Sequence, residues 1–165
     1  KCPKPIIAEV EGTATAAGCQ LVASCDLAYA STSAKFATPG VNIGLFCSTP
    51  MVAISRNLSN KHSMEMLLTG ELISSDKAAK IGLINDVIEI NKLKDFVLDK
   101  AQKISKKSLM TLKIGKEAFY KQLDMKLSDA YDYASKVMVQ NMLKLDAKEG
   151  IDAFINKREP NWKDK

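Results

Sequence analysis

A run of small residues, GTATAAG at positions 12–18, separates an apolar, β-branched segment from a segment with helical periodicity. Residues 5–10 lie between proline and glycine and predict a buried strand. Residues 17–24 place apolar side chains at helical intervals without a proline, which predicts a helix. A strand that turns tightly into a helix presents the N–H groups of the first turn at the positive end of the helix dipole. We therefore predict that the Ala17 and Gly18 N–H groups face an anionic or oxyanionic ligand atom.

The rest of the chain divides into a strand-rich front and a helical rear, which predicts an α/β protein. Further strands are predicted at 26–30, 34–37 and 84–88, and helices at 50–58, 61–68, 93–104 and 109–122. Ser74 is the expected cap of a short helix that ends at Gly82. An apolar stripe from Leu127 to Leu145 predicts the longest helix, and Asp146 with Glu149 predicts a capping box for a terminal one.

Composition excludes several classes of protein. With 165 residues, of which 46% are hydrophobic and 26% charged, the chain suffices for one soluble globular core. Apolar runs stay well short of the ~20 residues of a membrane span. The net charge of +5 comes from dispersed lysines, which argues against a nucleic-acid partner. The four cysteines lack C-x-x-C spacing, so we expect reduced thiols of an intracellular protein and no metal site.

Four ordered segments resemble the crotonase superfamily, the enoyl-CoA hydratases and isomerases. They are VEGTATAAGCQLVASCDLAYA at 10–30, FATPG at 36–40, LTGELISSDKAAKIGLINDV at 68–87 and EGIDAFINKR at 149–158. The resemblance implies that residues 1–90 form the C-terminal part of a ββα spiral core. It also implies that residues 91–165 form a helical oligomerisation region, giving a homotrimer or a dimer of trimers. Roughly the first third of the domain is expected to be missing from these residues.

The resemblance also implies which residues form the site. The backbone N–H of Ala17 matches one of the two oxyanion-hole donors of the family, with Gly18 beside it. Family hydratases use two glutamates to handle water and proton, and these positions fall on Gln20 and Gly40, neither of which titrates. General acid–base groups contribute about 10²–10⁴ in rate, so little hydration is expected, and replacing both residues with glutamate should restore part of it. One oxyanion donor alone contributes about 10²–10³.

We therefore expect an acyl-CoA pocket in an enoyl-CoA hydratase/isomerase-like protein of fatty acid metabolism. Two alternatives stay open: a different thioester reaction (isomerisation, decarboxylation or hydrolysis) or a non-catalytic acyl-CoA-binding or regulatory subunit. No separate cofactor is expected, because coenzyme A is part of the substrate. The compartment would be the cytoplasm in a bacterium and the mitochondrion in a eukaryote. Polar residues that could line the pocket, with turn or cap chemistry as the alternative, are Thr15, Gln20, Thr38, Asn42, Cys47, Ser48 and Thr49.

Two residues near the C-terminus match positions that contact coenzyme A from a neighbouring subunit in family members. By the resemblance, Phe154 would contact the adenine and Lys157 the phosphates. From the sequence pattern alone, Phe154 would be a core residue of the terminal helix and Lys157 a solvated charge. The basic balance of the chain would equally suit the phosphates of coenzyme A.

Overall fold

The computed structural model describes residues 2–165 and divides into two compact units. One unit comprises residues 6–101, and the other comprises residues 102–165 with the segment before Ile6. The strands are Ile7–Val10 (β1), Thr13–Thr15 (β2), Leu27–Ser31 (β3), Lys35–Ala37 (β4), Ile73–Ser74 (β5) and Asp86–Ile88 (β6). The helices are Ala17–Ser24 (α1), Ser48–Ser55 (α2), Asn60–Thr69 (α3), Ser75–Ile81 (α4), Ile90–Ser105 (α5), Leu109–Gln122 (α6), Leu127–Met142 (α7) and Leu145–Ile155 (α8), with a 3₁₀ turn at Pro39–Ile43.

Two small sheets organise the unit of residues 6–101. The first has the order β1-β3-β6 and is parallel throughout, whereas the second has the order β2-β4-β5, with β2 parallel and β5 antiparallel to β4. Parallel neighbours need crossover connections, and α1 lies in the crossover from β1 to β3 and in the one from β2 to β4. The α/β class predicted from the sequence is therefore confirmed. Fully buried side chains at the centre of this unit are Cys19, Ala30, Ala34, Phe36, Ile54 and Ala78.

Local signals fix several helix ends. The Ser74 hydroxyl accepts the Lys77 N–H at the start of α4, and Gly82 closes this helix in the left-handed conformation at φ 88°. Gly70 does the same for α3 at φ 61°. These ends confirm the predictions for Ser74 and Gly82, because a cap depends on a few neighbouring residues only.

Within the small-residue run that separates the predicted strand from the predicted helix, Thr13–Thr15 form strand β2. The three residues pair with Lys35–Ala37, and Thr15 lies opposite Ala37. A strand this short has no periodicity to detect, so pairing with a distant segment decides its conformation. The 3₁₀ turn at Pro39–Ile43 was likewise absent from the sequence prediction.

Many large apolar side chains of the helical unit are exposed. Every residue of α7, all of which the structure describes, is at least partly exposed, and Leu127 and Tyr131 of the predicted stripe are exposed by 76% and 69%. The stripe therefore predicted this helix, but α7 ends at Met142 and Leu145 already begins α8. Nothing within the unit buries the stripe completely. At 16 residues, α7 equals α5 in length. Among residues 2–165, no helix has both the length and the apolar character that crossing a membrane requires.

The capping box predicted at Asp146 and Glu149 is wrong. Helix α8 begins at Leu145, two residues earlier than a cap at Asp146 requires, so Asp146 lies inside the first turn. Its buried carboxylate accepts the backbone N–H groups of Lys163 (2.7 Å) and Asp164 (3.1 Å) from the C-terminal segment. Backbone N–H groups near the C-terminus thus bind this carboxylate, in place of the N–H groups of its own helix that a capping box would use.

Candidate functional site

The candidate site lies where β2 and β4 end. Because these strands are parallel, their carboxyl ends meet at one edge of the sheet, and the Ala16 N–H donates to the Ala37 carbonyl oxygen at 3.0 Å. The chain enters α1 immediately after β2, and it reaches Gly40 three residues after β4. The structure therefore brings the N-terminus of α1 and the Gly40 segment to the same edge.

Ala16 forms the turn into α1 in a strained backbone conformation. Its φ is 47° and its ψ is −114°, although it carries a Cβ atom. Such a conformation costs on the order of 1–3 kcal/mol and persists only where surrounding contacts impose it. Two hydrogen bonds do so here: the Ala16 N–H donates to Ala37, and the Ala16 carbonyl accepts the Gln20 N–H at 3.0 Å.

This turn directs the first N–H groups of α1 out of the helix. The first hydrogen bond of the helix runs from the Gln20 N–H to the Ala16 carbonyl. The N–H groups of Ala17 and Gly18 therefore have no carbonyl acceptor within the helix. Ala17 is exposed and Gly18 is half-buried. The arrangement supplies backbone donors at the positive end of a helix dipole, which is the geometry for holding a negative oxygen.

The two positions matched to glutamates differ in their surroundings. Gln20 is half-buried in α1, and its amide can form hydrogen bonds without transferring a proton. At Gly40, an added Cβ atom would lie 2.7 Å from the Leu45 carbonyl oxygen and 2.9 Å from the Cys47 sulfur. No side chain fits there unless the backbone moves. The structure thus opposes the expectation that glutamate introduced at position 40 restores hydration.

Cys19 and Cys47 are buried thiols on this side of the unit. The Gly40 N–H donates to the Cys47 sulfur at 3.3 Å. Burial raises the pKa of Cys19 to about 12, and the nearby Cys47 adds to this effect. Cys19 therefore stays a neutral thiol and acts as a small packing residue.

Among the predicted polar lining residues, Thr38 serves the core instead. Its side chain is fully buried, and its hydroxyl donates to the Met66 carbonyl oxygen at 2.9 Å. The Ser48 hydroxyl donates to the Phe46 carbonyl oxygen at 3.3 Å, whereas Asn42 and Thr49 are exposed. Thr15 is half-buried at the end of β2.

Phe154 and Lys157 belong to the helical unit. The Phe154 side chain is 85% exposed, so the interpretation of Phe154 as a core residue is wrong within this chain. Lys157 is exposed just beyond α8 at φ 50°, and its N–H donates to the Phe154 carbonyl oxygen at 3.3 Å. Their contact with coenzyme A stays a prediction.

A separate cavity of about 320 Å³ lies at the opposite end of α1, between residues 22–28 and 82–85. Its polar lining is engaged in the fold. Asn85 Oδ1 accepts the Ala28 N–H at 2.7 Å, and Asp26 Oδ2 accepts the Ile6 N–H at 2.7 Å. Asn57 Nδ2 donates to two carbonyl oxygens at 2.8 Å. The sequence does not predict this cavity, because nothing in it indicates that Asn57 and Asn85, which are far apart in the chain, line the same cavity.

Comparisons with known proteins agree with this fold. The profile of the family described as "Enoyl-CoA hydratase/isomerase" matches residues 1–165. The mitochondrial enoyl-CoA hydratase domain-containing protein 3 of Rattus norvegicus is 53% identical over 160 residues, which are 97% of this chain and 53% of that protein. The human protein of the same name is 50% identical over 160 residues, with the same 97% and 53% coverage.

Solved structures give the same result. The crystal structure of human enoyl Coenzyme A hydratase domain-containing protein 3 matches with a TM-score of 0.95 and 51% identity, covering 97% of this chain and 63% of that one. An enoyl-CoA hydratase from Mycobacterium smegmatis matches with a TM-score of 0.94 and 48% identity, covering 97% and 62%. The chain belongs to the enoyl-CoA hydratase/isomerase family, with the crotonase fold. It spans about half the length of the curated relatives that it matches.

Proposed function

We propose that the full-length protein binds a fatty acyl-CoA thioester and that its reaction, if it catalyses one, is not the standard hydration of an enoyl-CoA. The observation that carries this proposal is the N-terminus of α1. The strained turn at Ala16 directs the Ala17 N–H out of the helix, and the carbonyl oxygen of a thioester is the ligand atom proposed for it.

A thioester oxygen gains negative charge whenever the reaction passes through an enolate or a tetrahedral intermediate. A fixed N–H donor stabilises that charge and contributes about 10²–10³ in rate. The donor does not select among hydration, isomerisation, decarboxylation and hydrolysis, because all of them develop charge on the same atom. The family resemblance therefore supports the substrate class better than it supports any one reaction.

The residues at positions 20 and 40 argue against a hydration reaction. Gln20 cannot transfer a proton, and Gly40 has neither a side chain nor room for one. This favours the second candidate, an acyl-CoA-binding or regulatory subunit without turnover, over an active hydratase. Isomerisation, decarboxylation or hydrolysis by another residue is the remaining enzymatic alternative.

The proposed assembly, coenzyme A contacts and compartment are based on the family resemblance. The proposed assembly is a homotrimer or a dimer of trimers, in which Phe154 and Lys157 contact the adenine and phosphates of coenzyme A bound by a neighbouring subunit. No separate cofactor is included. The rat and human relatives are named as mitochondrial proteins. For a eukaryotic source we assign this protein to the same compartment.

The test compares Ala17→Pro with Ala17→Gly in the full-length protein. Proline at the first helical position removes the N–H and also restricts the backbone of the preceding Ala16, whereas glycine keeps the N–H. We expect Ala17→Pro to weaken acyl-CoA binding and to reduce any thioester turnover by about 10²–10³. Ala17→Gly should resemble the wild type. Circular dichroism verifies that both variants fold.

A spectroscopic measurement keeps the test decisive if the proline variant does not fold. Hydrogen bonding to the thioester oxygen lowers its carbonyl stretching frequency, which difference infrared spectroscopy of bound acyl-CoA detects in the wild type. An unshifted frequency, or a folded Ala17→Pro variant that binds as the wild type does, would refute the oxyanion assignment. Rapid hydration of crotonyl-CoA by the wild type would refute the loss of hydration.

A further inference from the structure

We propose that the segment of residues 41–47, closed onto Gly40, determines the reaction specificity of this site. It places the Cys47 thiol where a side chain of residue 40 would otherwise stand. The inference rests on the proposed function, because it concerns which reactions of a bound acyl thioester are possible.

Both backbone polar groups of Gly40 hold the segment closed. The Gly40 carbonyl accepts the Leu45 N–H at 3.0 Å, and the Gly40 N–H donates to the Cys47 sulfur at 3.3 Å. Gly44 makes the reversal at φ 76°, a left-handed conformation that favours glycine. The segment therefore forms a short ring that begins at Gly40 and returns to it.

The ring leaves no space for a side chain at position 40. A Cβ atom on Gly40 would lie 2.7 Å from the Leu45 carbonyl oxygen, a backbone atom that cannot move without opening the ring. The same Cβ atom would lie 2.9 Å from the Cys47 sulfur. Closure of the ring therefore requires glycine at position 40, and the Cys47 sulfur lies within contact distance of where the Cβ atom would be.

A thiol in place of a carboxylate changes the chemistry beside Gly40. A carboxylate accepts strong hydrogen bonds and can take a proton from water, whereas a thiol is a weak donor and a weak acceptor. The Cys47 sulfur already accepts the Gly40 N–H. Water beside Gly40 is therefore not activated, even where the Ala17 N–H polarises the thioester. The site holds an unsaturated acyl thioester without adding water to it.

The direct test places a carboxylate at the position of the sulfur. In the full-length protein, Cys47→Asp leaves Gly40 unchanged, and Cys47→Asn is the uncharged control of nearly the same shape. We expect Cys47→Asp to raise the rate of crotonyl-CoA hydration about 10-fold or more above both the wild type and the control, which is part of the about 10²–10⁴ that a well-placed general base contributes. Gly40→Glu should give no gain, because its side chain opens the ring.

A second test compares the thermal stability of variants at positions 40 and 47. It needs neither catalysis nor a carboxylate buried at position 47. Gly40→Ala should lower the thermal midpoint clearly, and combining it with Cys47→Gly should lower it by less than the sum of the single effects. Gly12→Ala is the matched control, because an added Cβ atom there meets no atom within 4 Å. Additive effects at positions 40 and 47 would overturn the steric pairing.

The outcomes separate this inference from the proposed function. If the wild type binds no acyl-CoA in calorimetric titration, the proposed function fails, while the thermal comparison still tests the pairing of residues 40 and 47. If the wild type binds acyl-CoA, a folded and binding Cys47→Asp variant without increased hydration overturns the specificity role. Hydration gained by Gly40→Glu would overturn it as well.

Discussion

Ala16→Gly tests whether the turn into α1 stores strain that serves the site. Ala16 adopts φ 47° and ψ −114°, which an alanine rarely occupies and a glycine occupies readily. The hydrogen bonds to Ala37 and Gln20 both involve backbone atoms, so the substitution leaves them intact. The variant therefore removes the strain and little else.

The expected effect on stability is a small gain. Releasing the strain contributes about 1–3 kcal/mol, and the greater freedom of glycine in the unfolded chain opposes it by about 0.4–1 kcal/mol. The net gain is then about 1 kcal/mol, which raises the thermal midpoint by roughly 2–4 °C for a protein of this size. Acyl-CoA binding should change in the other direction, weakening about three- to tenfold, because a glycine holds the Ala17 N–H less firmly.

Thermal denaturation and calorimetric titration of the full-length protein measure the two effects. Ala14→Gly is the matched control, because Ala14 lies two residues away in β2, is buried and has no positive φ. It should destabilise by about 1–2 kcal/mol through the lost methyl group and the added freedom. If Ala16→Gly lowers the midpoint as much as Ala14→Gly does, the turn is not strained and the reasoning fails.

Two further predictions concern the helical unit. Hydrogen bonds from Arg158 and from the Asn161 N–H hold the pKa of Glu149 at about 2 instead of 4.5, so its contribution to stability is present above pH 4.5 and is lost as the pH falls towards 2. Over this range the thermal midpoint of Glu149→Gln should fall less than that of the wild type, and equal slopes would contradict the assignment. At Gly150, an added Cβ atom would lie 3.2 Å from the Trp162 ring, so Gly150→Ala should displace the indole from the Lys106 carbonyl and lower the midpoint. Gly115→Ala, with open space around the added atom in α6, should instead stabilise by about 0.5–1 kcal/mol, and the same sign for both variants would refute this packing argument.

The sequence predicts those elements whose signals are local. Helix α1 was predicted at residues 17–24 and α6 at 109–122, and both have these bounds in the structure. Strand β2 escaped prediction because its three residues become a strand only by pairing with β4. The capping box at Asp146 failed for a related reason, since the N–H groups that satisfy this carboxylate come from residues 163 and 164.

The candidate site could be predicted only in part. A small-residue turn before a helix indicates free N–H groups, and it pointed to Ala17 and Gly18 correctly as first-turn residues. Nothing in an alanine side chain indicates that Ala16 has a positive φ. The family resemblance matched Gly40 to a glutamate, but the contacts with Leu45 and Cys47 depend on how seven residues close into a ring.

Backbone groups dominate the polar character of this edge of the sheet. The strained turn presents N–H donors on one side, and on the other the ring at Gly40 engages both its N–H and its carbonyl internally. An N–H donor stabilises charge on an oxygen without moving a proton, and it contributes about 3–4 kcal/mol to a transition state. Proton transfer requires a titratable side chain, and positions 20 and 40 offer an amide and a glycine. In the proposed function, polarisation of a thioester and proton transfer are therefore separable, and substitutions at Ala17 and at Cys47 should affect them independently.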